Sequence, residues 1–427
     1  PLMAELPTSP LDGEFTTSSN EYIYADWWWK LEIGPSGVWN IAGDLAQVNW
    51  GYEGANNGIL TGSGTLNIGS DTEAGALYIM GQNPPSSDHW ARILNFNGTV
   101  NVGKSGSFSF GGTYISRWGM IGYIDTLNVN GGMVSVMSET QNNSYFCVKN
   151  LAVRDGGTFE SSQNLQTADG GVWNLYSGGL SASLLRVSSG SFTLNLHAED
   201  VLRDMPRISF DENKGIDLRI NAFADNSIGE LEFNGNGVLG LSVADGATLT
   251  IKTLSTKNDA HAVQNAEIIF YDYRADAVLF EDSYIFVEDD RLCLSAYETY
   301  VKLTAYDGGG NLLQGVWTYE WDDVAGAGRL VLNAVPEPAA VAAILGALAL
   351  TFAAWRARAD VCRMARSEIN PPVSISPQRT LRSRRSFFIF AESCRKNRGG
   401  QIKWRKFLSR KLFAACKRRR PRAKSKQ

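Results

Sequence analysis

The chain is poor in the residue types that build reactive centres. It has 427 residues, of which three are histidines (His89, His197 and His261) and five are cysteines. The histidines form no i, i+4 ligand pair, and no cysteine set has metal-ligand spacing. Gly-x-Ser-x-Gly, phosphate-loop and repeated calcium-binding motifs are also missing. The sequence therefore predicts no metal site, no cofactor and no catalytic residue.

The cysteines give no disulfide framework either. Cys147 and Cys293 lie in the first 355 residues, and Cys362, Cys394 and Cys416 lie near the C-terminus. Two widely spaced cysteines in a body of this size behave as small hydrophobic residues more often than as a linked pair. We expect both Cys147 and Cys293 to be buried.

Charge is distributed very unevenly. Residues 356–427 contain 23 Lys and Arg against 3 Asp and Glu, and subtraction from the totals of 40 and 44 leaves 17 basic and 41 acidic residues in 1–355. The body is acidic and the tail strongly basic. Asymmetry of this size indicates that the two parts of the chain meet different environments.

A short apolar pattern recurs between residues 37 and 254. Two apolar residues at period two precede a glycine turn, and two more at period two follow it. Copies start at Leu94, Leu127, Leu151 and Leu185, and Gly37-Val38-Trp39-Asn40 is echoed by Gly171-Val172-Trp173-Asn174. Self-similarity at 24 to 34 residues with strand periodicity favours a β-solenoid. An array of β-sandwich hairpins is the alternative.

The fold class that follows is mainly β, with a right-handed β-helix or solenoid, a terminal β cap and one C-terminal transmembrane helix. The Trp27-Trp28-Trp29 run is interpreted as partly buried at an end of the fold, with a carbohydrate platform as the alternative. Strand patterns near the end include Tyr300–Tyr306, followed by a hairpin signal at Asp307–Asn311. The predicted regions are an N-terminal segment or cap (1–36), the solenoid (37–254), a terminal β domain (255–334), a membrane segment (335–358) and a basic tail (359–427).

The membrane segment is the most specific feature of the sequence. Ala339 to Trp355 is an uncharged run of 17 residues, at the short end of what crosses a bilayer. Arg356 and Arg358 follow directly, so the positive-inside rule places this end in the cytoplasm and the acidic body outside. An ordinary buried helix is the alternative.

The order of these features resembles the PEP-CTERM sorting signal of Gram-negative bacteria. The resemblance covers about residues 335–358 and rests on the motif Val335-Pro336-Glu337-Pro338, the apolar helix and the arginines. It implies export, transient anchoring in the inner membrane and processing at the motif by an exosortase. The repeats are similar, more loosely, to autotransporter-type β repeats attached to such signals. Two prolines around an acidic residue also fit an extended, accessible peptide.

The basic tail departs from the family, whose signals end soon after the arginines. Here about seventy residues follow, with Trp404, Phe407, Leu408, Leu412 and Phe413 at helical spacing. A disordered, membrane-proximal tail and a sequence artefact are both open, and we do not expect nucleic acid as a partner.

The function expected is that of a non-catalytic protein of the cell surface or extracellular matrix, acting in adhesion, biofilm or exopolysaccharide association. Exposed Trp and Tyr would supply sugar stacking. The alternative is a polysaccharide lyase or glycoside hydrolase on the same scaffold, which requires acids converging in one groove. The acid pairs Glu281-Asp282, Asp289-Asp290 and Asp322-Asp323 are interpreted as solvated turns instead.

Overall fold

The fold was analysed in a computed structural model of the chain. The structure describes residues 7–23, 30–50, 59–79, 91–112, 120–138, 145–188, 190–203, 205, 207–210, 215–233, 237–256, 266–282, 285–294, 299–334 and 338–367. Two compact units divide the chain, Pro1–Pro336 and Glu337–Gln427. The described strands lie in the first unit and the described helix in the second.

The first unit is built almost entirely of strands. Its earlier strands are β1 Glu14–Thr17, β2 Asn20–Ile23, β3 Lys30–Ile33, β4 Val38–Ile41, β5 Gln47–Trp50, β6 Ile59–Gly62, β7 Thr65–Ile68, β8 Gly75–Ile79, β9 Ala91–Val102, β10 Gly106–Gly112, β11 Met120–Asn130, β12 Met133–Ser138, β13 Tyr145–Arg154 and β14 Thr158–Leu175. Its later strands are β15 Gly179–Val187, β16 Gly190–Leu196, β17 Arg207–Phe210, β18 Ile216–Ala222, β19 Asn226–Phe233, β20 Gly237–Val243, β21 Leu249–Thr256, β22 Glu267–Tyr271, β23 Val278–Phe280, β24 Phe286–Glu288, β25 Arg291–Leu294, β26 Thr299–Ala305, β27 Gly315–Asp322 and β28 Ala327–Ala334.

Parallel pairing arranges these strands into a solenoid with three faces. Face A runs through β1, β4, β7, the second halves of β9, β11, β13 and β14, then β16, β18, β20, β22 and β26. Face B runs through β2, β5, β8, β10, β12 and the starts of β14 and β15, and resumes in β19, β21 and β23. Face C runs through β3, β6, the first halves of β9, β11 and β13, the middle of β14, then β15, β17, β19 and β21. Most turns of the chain visit A, B and C once, although no described strand lies on face B between β16 and β17. This arrangement confirms the predicted mainly β, solenoid-like fold.

The core is the inside of this three-sided coil. Along each strand the inward residues alternate with outward ones, and equivalent inward residues stack from coil to coil. On face A, Trp39 lies in register with Leu66, and Trp173 lies between Leu151 and Leu194. Both tryptophans are fully buried. A single strand–turn–strand unit could not bury these side chains, so the stacking of coils is what makes the fold stable.

The register corrects the repeat unit seen in the sequence. Leu127 and Leu151 are direct neighbours on face A, so the interval of 24 residues is a true coil. Leu94 and Leu185 lie on face C instead. The same sequence pattern occurs where the chain turns from face C to face A and where it turns from face A to face B. The predicted copies therefore combined two kinds of corner.

Most corners from face A to face B use the left-handed backbone region. Gly178 has φ of 85°, and a Cβ there would lie 1.9 Å from the carbonyl oxygen of Gly157. Asp200 occupies a corner of the same type with φ of 49°. Glycine is therefore required at position 178, where the preceding coil approaches closely, while aspartate also adopts this conformation at position 200.

The C-terminal end of the solenoid is closed by antiparallel strands. β24, β25 and β26 form one antiparallel set, β27 pairs with β28, and β28 also pairs with β23. Trp317 packs against Phe270 and Tyr273 of the last coil, with ring centroids 5.6 and 5.3 Å apart. The Tyr273 hydroxyl accepts a hydrogen bond from the Leu332 amide and donates one to the Leu330 carbonyl. This arrangement covers the open edge of the last coil.

Two details differ from the expected layout of this region. Parallel coils begin at β1 and continue to β26, so they extend past 37–254 on both sides. The loop Asp307–Asn311 reverses the chain as expected, with an antiparallel bridge between Tyr306 and Leu312. The reversal goes no further, because β26 pairs with β22 and β25 rather than with β27. The Asp307 carboxylate closes this loop on itself by accepting hydrogen bonds from the amides of Gly309 and Asn311.

Helix α1 spans Pro338–Ser367 in the second unit. Proline suits the first helical position, where its missing N–H costs nothing. The helix continues beyond Trp355 into the region predicted as tail. The large apolar side chains described on it are 60 to 73% exposed: Leu345, Leu348, Leu350, Phe352 and Trp355. Among the residues that the structure describes, no helix combines the length and hydropathy that a membrane crossing needs.

Candidate binding surface

A row of asparagines runs along the outside of face A. Each asparagine sits between two inward apolar residues, so its side chain points outward. The parallel register brings the equivalent positions of successive coils directly opposite one another. The row consists of Asn40, Asn67, Asn101, Asn128, Asn174, Asn195 and Asn221.

Amide hydrogen bonds join the asparagines along the row. In the first stretch, the Nδ2 of Asn67, Asn101 and Asn128 each donates to the Oδ1 one coil earlier, all at 2.8 Å. In the second stretch, Asn195 donates to Asn174 at 2.9 Å and Asn221 donates to Asn195 at 2.7 Å. Each inner amide keeps one N–H and one lone pair for another partner, because an amide offers two donors and two acceptor sites.

The row is interrupted at one coil. The residue in register between Asn128 and Asn174 is Ala152, which has no polar side chain. The two stretches are therefore separated by two strand spacings, about 9.5 Å.

An aromatic column stands beside the second stretch. The Arg154 guanidinium lies 4.6 Å from the Tyr176 ring centroid. Tyr176 stacks on His197 at 4.3 Å, and His197 stacks on Phe223 at 4.7 Å, with nearly parallel rings in both pairs. Tyr176 is 39% and Phe223 is 51% exposed. The column is thus a solvent-facing stack with a cation at one end.

A second cation–aromatic stack on face A spans an intervening coil. The Arg219 guanidinium lies 4.5 Å from the Tyr271 ring, and Tyr271 stacks near Tyr306 at 5.9 Å. Gly240 occupies the coil between Arg219 and Ile269 in register, and a Cβ there would lie 2.9 Å from the Tyr271 ring. The glycine leaves the space through which arginine and tyrosine meet.

This geometry limits how aromatic residues on face A contact a ligand. Stacked rings cover one another, so the inner rings offer edges rather than faces. Burial lowers the pKa of His197, whose Nε2 lies 3.5 Å from Asn174 Oδ1. The imidazole is therefore neutral at pH 7 and can take part in hydrogen bonding beside the amide row. Amides and ring edges are the recognition groups that face A provides.

Faces B and C carry no comparable row among their described residues. The corresponding outward positions on face B are Asn49, Tyr78, Ser109, Ser135, Glu160 and Ser181, with a single asparagine among them. Those on face C are Thr61, Asn95, Tyr123, Cys147, Gln166, Arg186, Ser209, Glu232 and Ser255. The regular polar surface is specific to face A.

The predicted cysteine environments are only partly correct. Cys293 is buried, as predicted. Cys147 is half-buried and points outward, because it alternates with the inward Phe146 and Val148. Burial nevertheless raises the pKa of the Cys147 thiol to about 12, so the thiol is protonated and unreactive at neutral pH.

Acidic residues in the described regions form no metal-binding group of three or more. The pair Asp289-Asp290 lies in the turn between β24 and β25, and Asp322 accepts hydrogen bonds from the amides of Val324 and Ala325 in the turn after β27. These acids shape turns. Of the histidines, His89 and His261 lie outside the described residues, as do Trp27, Trp28 and Trp29.

The sorting-motif residues are only partly described. Val335, Pro336 and Glu337 lie outside the described residues, and Pro338 is the first residue of α1. Arg356 and Arg358 lie on the same helix and are exposed. The predicted tail beyond Ser367 also lies outside the described residues.

The asparagine row has a clear sequence signal that the initial pattern omitted. The tetrapeptide x-Φ-Asn-Φ, where Φ is apolar, occurs ten times in the chain. Seven copies form the row: Val38–Ile41, Thr65–Ile68, Thr99–Val102, Thr126–Val129, Val172–Leu175, Thr193–Leu196 and Arg219–Ala222. The other three lie at 47–50 on face B, at 93–96 on face C and at 331–334 in β28. The echoed Val-Trp-Asn is one instance of it. The intervals between row copies give the coil length, but the tetrapeptide alone does not separate those copies from the other three.

The fold and this surface define a β-solenoid protein with one regular polar face and an antiparallel cap. Comparison with family models, curated proteins and solved structures finds no match.

Proposed function

We propose that this chain is a non-catalytic protein of the bacterial cell surface or extracellular matrix, which contacts exopolysaccharide through the outer surface of face A. The observation that carries the proposal is the asparagine row with its adjoining aromatic column. Amides repeated at the spacing of β-strands suit a long ligand that lies along the solenoid axis and presents hydroxyl groups at regular intervals.

The acidic body, residues 1–355, fits a location outside the cytoplasm when it is considered together with the apolar run at 339–355 and the arginines that follow it. In this proposal the chain is exported, held transiently in the inner membrane by residues 339–355, and processed at Val335-Pro336-Glu337-Pro338 by an exosortase-type enzyme. The exposed apolar side chains of α1 support the anchoring step, since they would be costly in water. We also propose that the solenoid coils in the right-handed sense.

Intact mass and localisation of the native protein test the sorting step. We expect a mature species ending near Pro336, found outside the inner membrane and lacking the basic tail. A Glu337→Gln variant should accumulate in the inner membrane at full length. A full-length wild-type species found in the cytoplasm would contradict export.

Binding of the full chain to a panel of immobilised polysaccharides tests the contact step. We expect retention on at least one polysaccharide, weakened when Asn195 and Asn221 are both replaced by alanine. Ser107 and Ser109, which point outward from face B, give a matched pair of alanine substitutions that should leave retention unchanged. No retention on any polysaccharide would refute this part of the proposal.

A further inference from the structure

The interruption of the asparagine row at Ala152 leaves polar groups open on both sides. Asn128 donates its Nδ2 to Asn101, but no described side chain of the next coil donates to the Asn128 Oδ1. Asn174 accepts from Asn195, and its Nδ2 has no hydrogen-bond partner among the described residues. An acceptor and a donor thus face each other across the small Ala152 side chain. We call this gap the Ala152 notch.

Two more side chains from the same strand border the notch. Asn150 and Arg154 lie two residues before and after Ala152, so both point outward with it. The Asn150 amide has no hydrogen-bond partner among the described residues. The notch therefore has an apolar floor, three amides with open hydrogen-bonding positions, and one guanidinium.

The guanidinium is positioned but not neutralised. Arg154 lies over Tyr176, which limits its motion. None of the ion pairs between described residues includes Arg154, whereas nearby Lys149 is paired with Asp125 at 3.7 Å. Residues 1–355 carry 41 acidic and 17 basic residues, so an unpaired arginine held beside open amides favours an anionic group from outside the chain.

Fold stability does not account for the notch. An asparagine at position 152 would continue the row and make hydrogen bonds with both neighbours, as its equivalents do in the other stretches. The small residue forgoes that stabilisation, and its side chain, which is 9% exposed, forms a narrow floor between the two asparagines.

From this geometry we infer that the Ala152 notch binds one acidic sugar residue of a glycan. Arg154 binds the carboxylate of a uronic acid, and the amides of Asn128, Asn150 and Asn174 bind its hydroxyl groups. The inference rests on the proposed polysaccharide contact and names its ligand class and central subsite.

Titration of the full chain with an oligogalacturonate and with the neutral galacto-oligosaccharide of the same length tests the inference. We expect wild type to bind the acidic oligosaccharide at least tenfold more tightly than the neutral one. Ala152→Asn closes the notch and should weaken binding of the acidic oligosaccharide at least tenfold, while its unfolding midpoint stays equal to or above that of wild type.

The matched control is Ser242→Asn. Ser242 lies in register with Asn221 at the far end of the row, so asparagine there also extends the row but leaves the notch open. We expect binding of the acidic oligosaccharide as in wild type. Arg154→Gln is an exposed change that does not depend on repacking, and it should lower binding of the acidic oligosaccharide about tenfold or more while sparing the weak neutral binding.

The outcomes separate this inference from the proposed function. Wild-type binding that Ala152→Asn leaves intact overturns the notch but keeps the polysaccharide contact. Equal binding of the acidic and neutral oligosaccharides overturns the assignment of an acidic ligand. If wild type binds neither oligosaccharide and no polysaccharide of the panel, both the polysaccharide contact and the notch are overturned.

Discussion

Removing a middle asparagine should cost more stability than removing an end one. Asn101 takes part in two amide bonds of 2.8 Å, donating to Asn67 and accepting from Asn128. Asn128 takes part in one, because Ala152 follows it. A hydrogen bond of this kind contributes about 0.5–1.5 kcal/mol net, and the half-exposed partners regain water when it is lost. We expect Asn101→Ala to lower the free energy of unfolding by about 2 kcal/mol and Asn128→Ala by about 1 kcal/mol.

Equilibrium urea unfolding of the full chain, followed by tryptophan fluorescence, measures this difference. The midpoints should fall in the order wild type, Asn128→Ala, Asn101→Ala, with similar slopes. Asn150→Ala is the control, since Asn150 points outward from the same face without a hydrogen-bond partner among the described residues, and it should change stability by less than about 0.5 kcal/mol. Equal costs for Asn101→Ala and Asn150→Ala would refute the hydrogen-bonded row.

Three further predictions follow from single side chains. Because burial lowers the pKa of His197, the unfolded state binds more protons than the folded state near pH 6. The stability conferred by His197 is therefore complete above its unfolded pKa and is lost as pH falls. His197→Phe should reduce the loss of unfolding free energy between pH 7.5 and 5, and an unchanged loss would contradict this. Gly178→Ala should destabilise more than Gly170→Ala in thermal unfolding, since both have positive φ but only Gly178 has a carbonyl, that of Gly157, where the Cβ would be; equal shifts would argue against the close approach. The Cys147 thiol, with its pKa raised to about 12, should react with iodoacetamide far more slowly in native than in urea-unfolded protein, as peptide mass spectrometry would show; equal rates would contradict its burial.

The solenoid was predictable because its cause is local. Alternation at period two places Leu127 and Val129 inward, and glycine corners such as Gly131 bend the chain after each strand. The same alternation would also have shown that Cys147, between Phe146 and Val148, points outward.

The candidate surface was not predictable from composition, because it depends on register. Asparagines are unremarkable singly, and Asn128 and Asn174 are 46 positions apart in the chain. They become two sides of one notch only when coils of unequal length bring them to the same row. The aromatic column was hidden for the same reason: Tyr176, His197 and Phe223 follow no fixed sequence interval.

The cap illustrates a different limit. Its strands were located approximately from their apolar runs, but their partners were not. β26 joins the parallel ladder of face A on one edge and the antiparallel strand β25 on the other. Nothing local distinguishes such a strand from the first strand of a long hairpin. The Asp307–Asn311 loop therefore predicted the reversal at Tyr306 and Leu312 but not that β26 and β27 stay unpaired.

The effect on binding of one added carboxylate, compared between face A and face B, tests the assignment of face A as the binding surface most directly. Thr193→Glu adds a carboxylate to the outward surface of face A, in register with Val172 and Arg219. Ser107→Glu adds the same carboxylate to face B, in register with Ala76 and Met133. In titrations of the full chain with oligogalacturonate, Thr193→Glu should weaken binding at least tenfold, and Ser107→Glu should bind as wild type does. Equal effects of the two variants, or a loss confined to Ser107→Glu, would contradict face A as the binding surface.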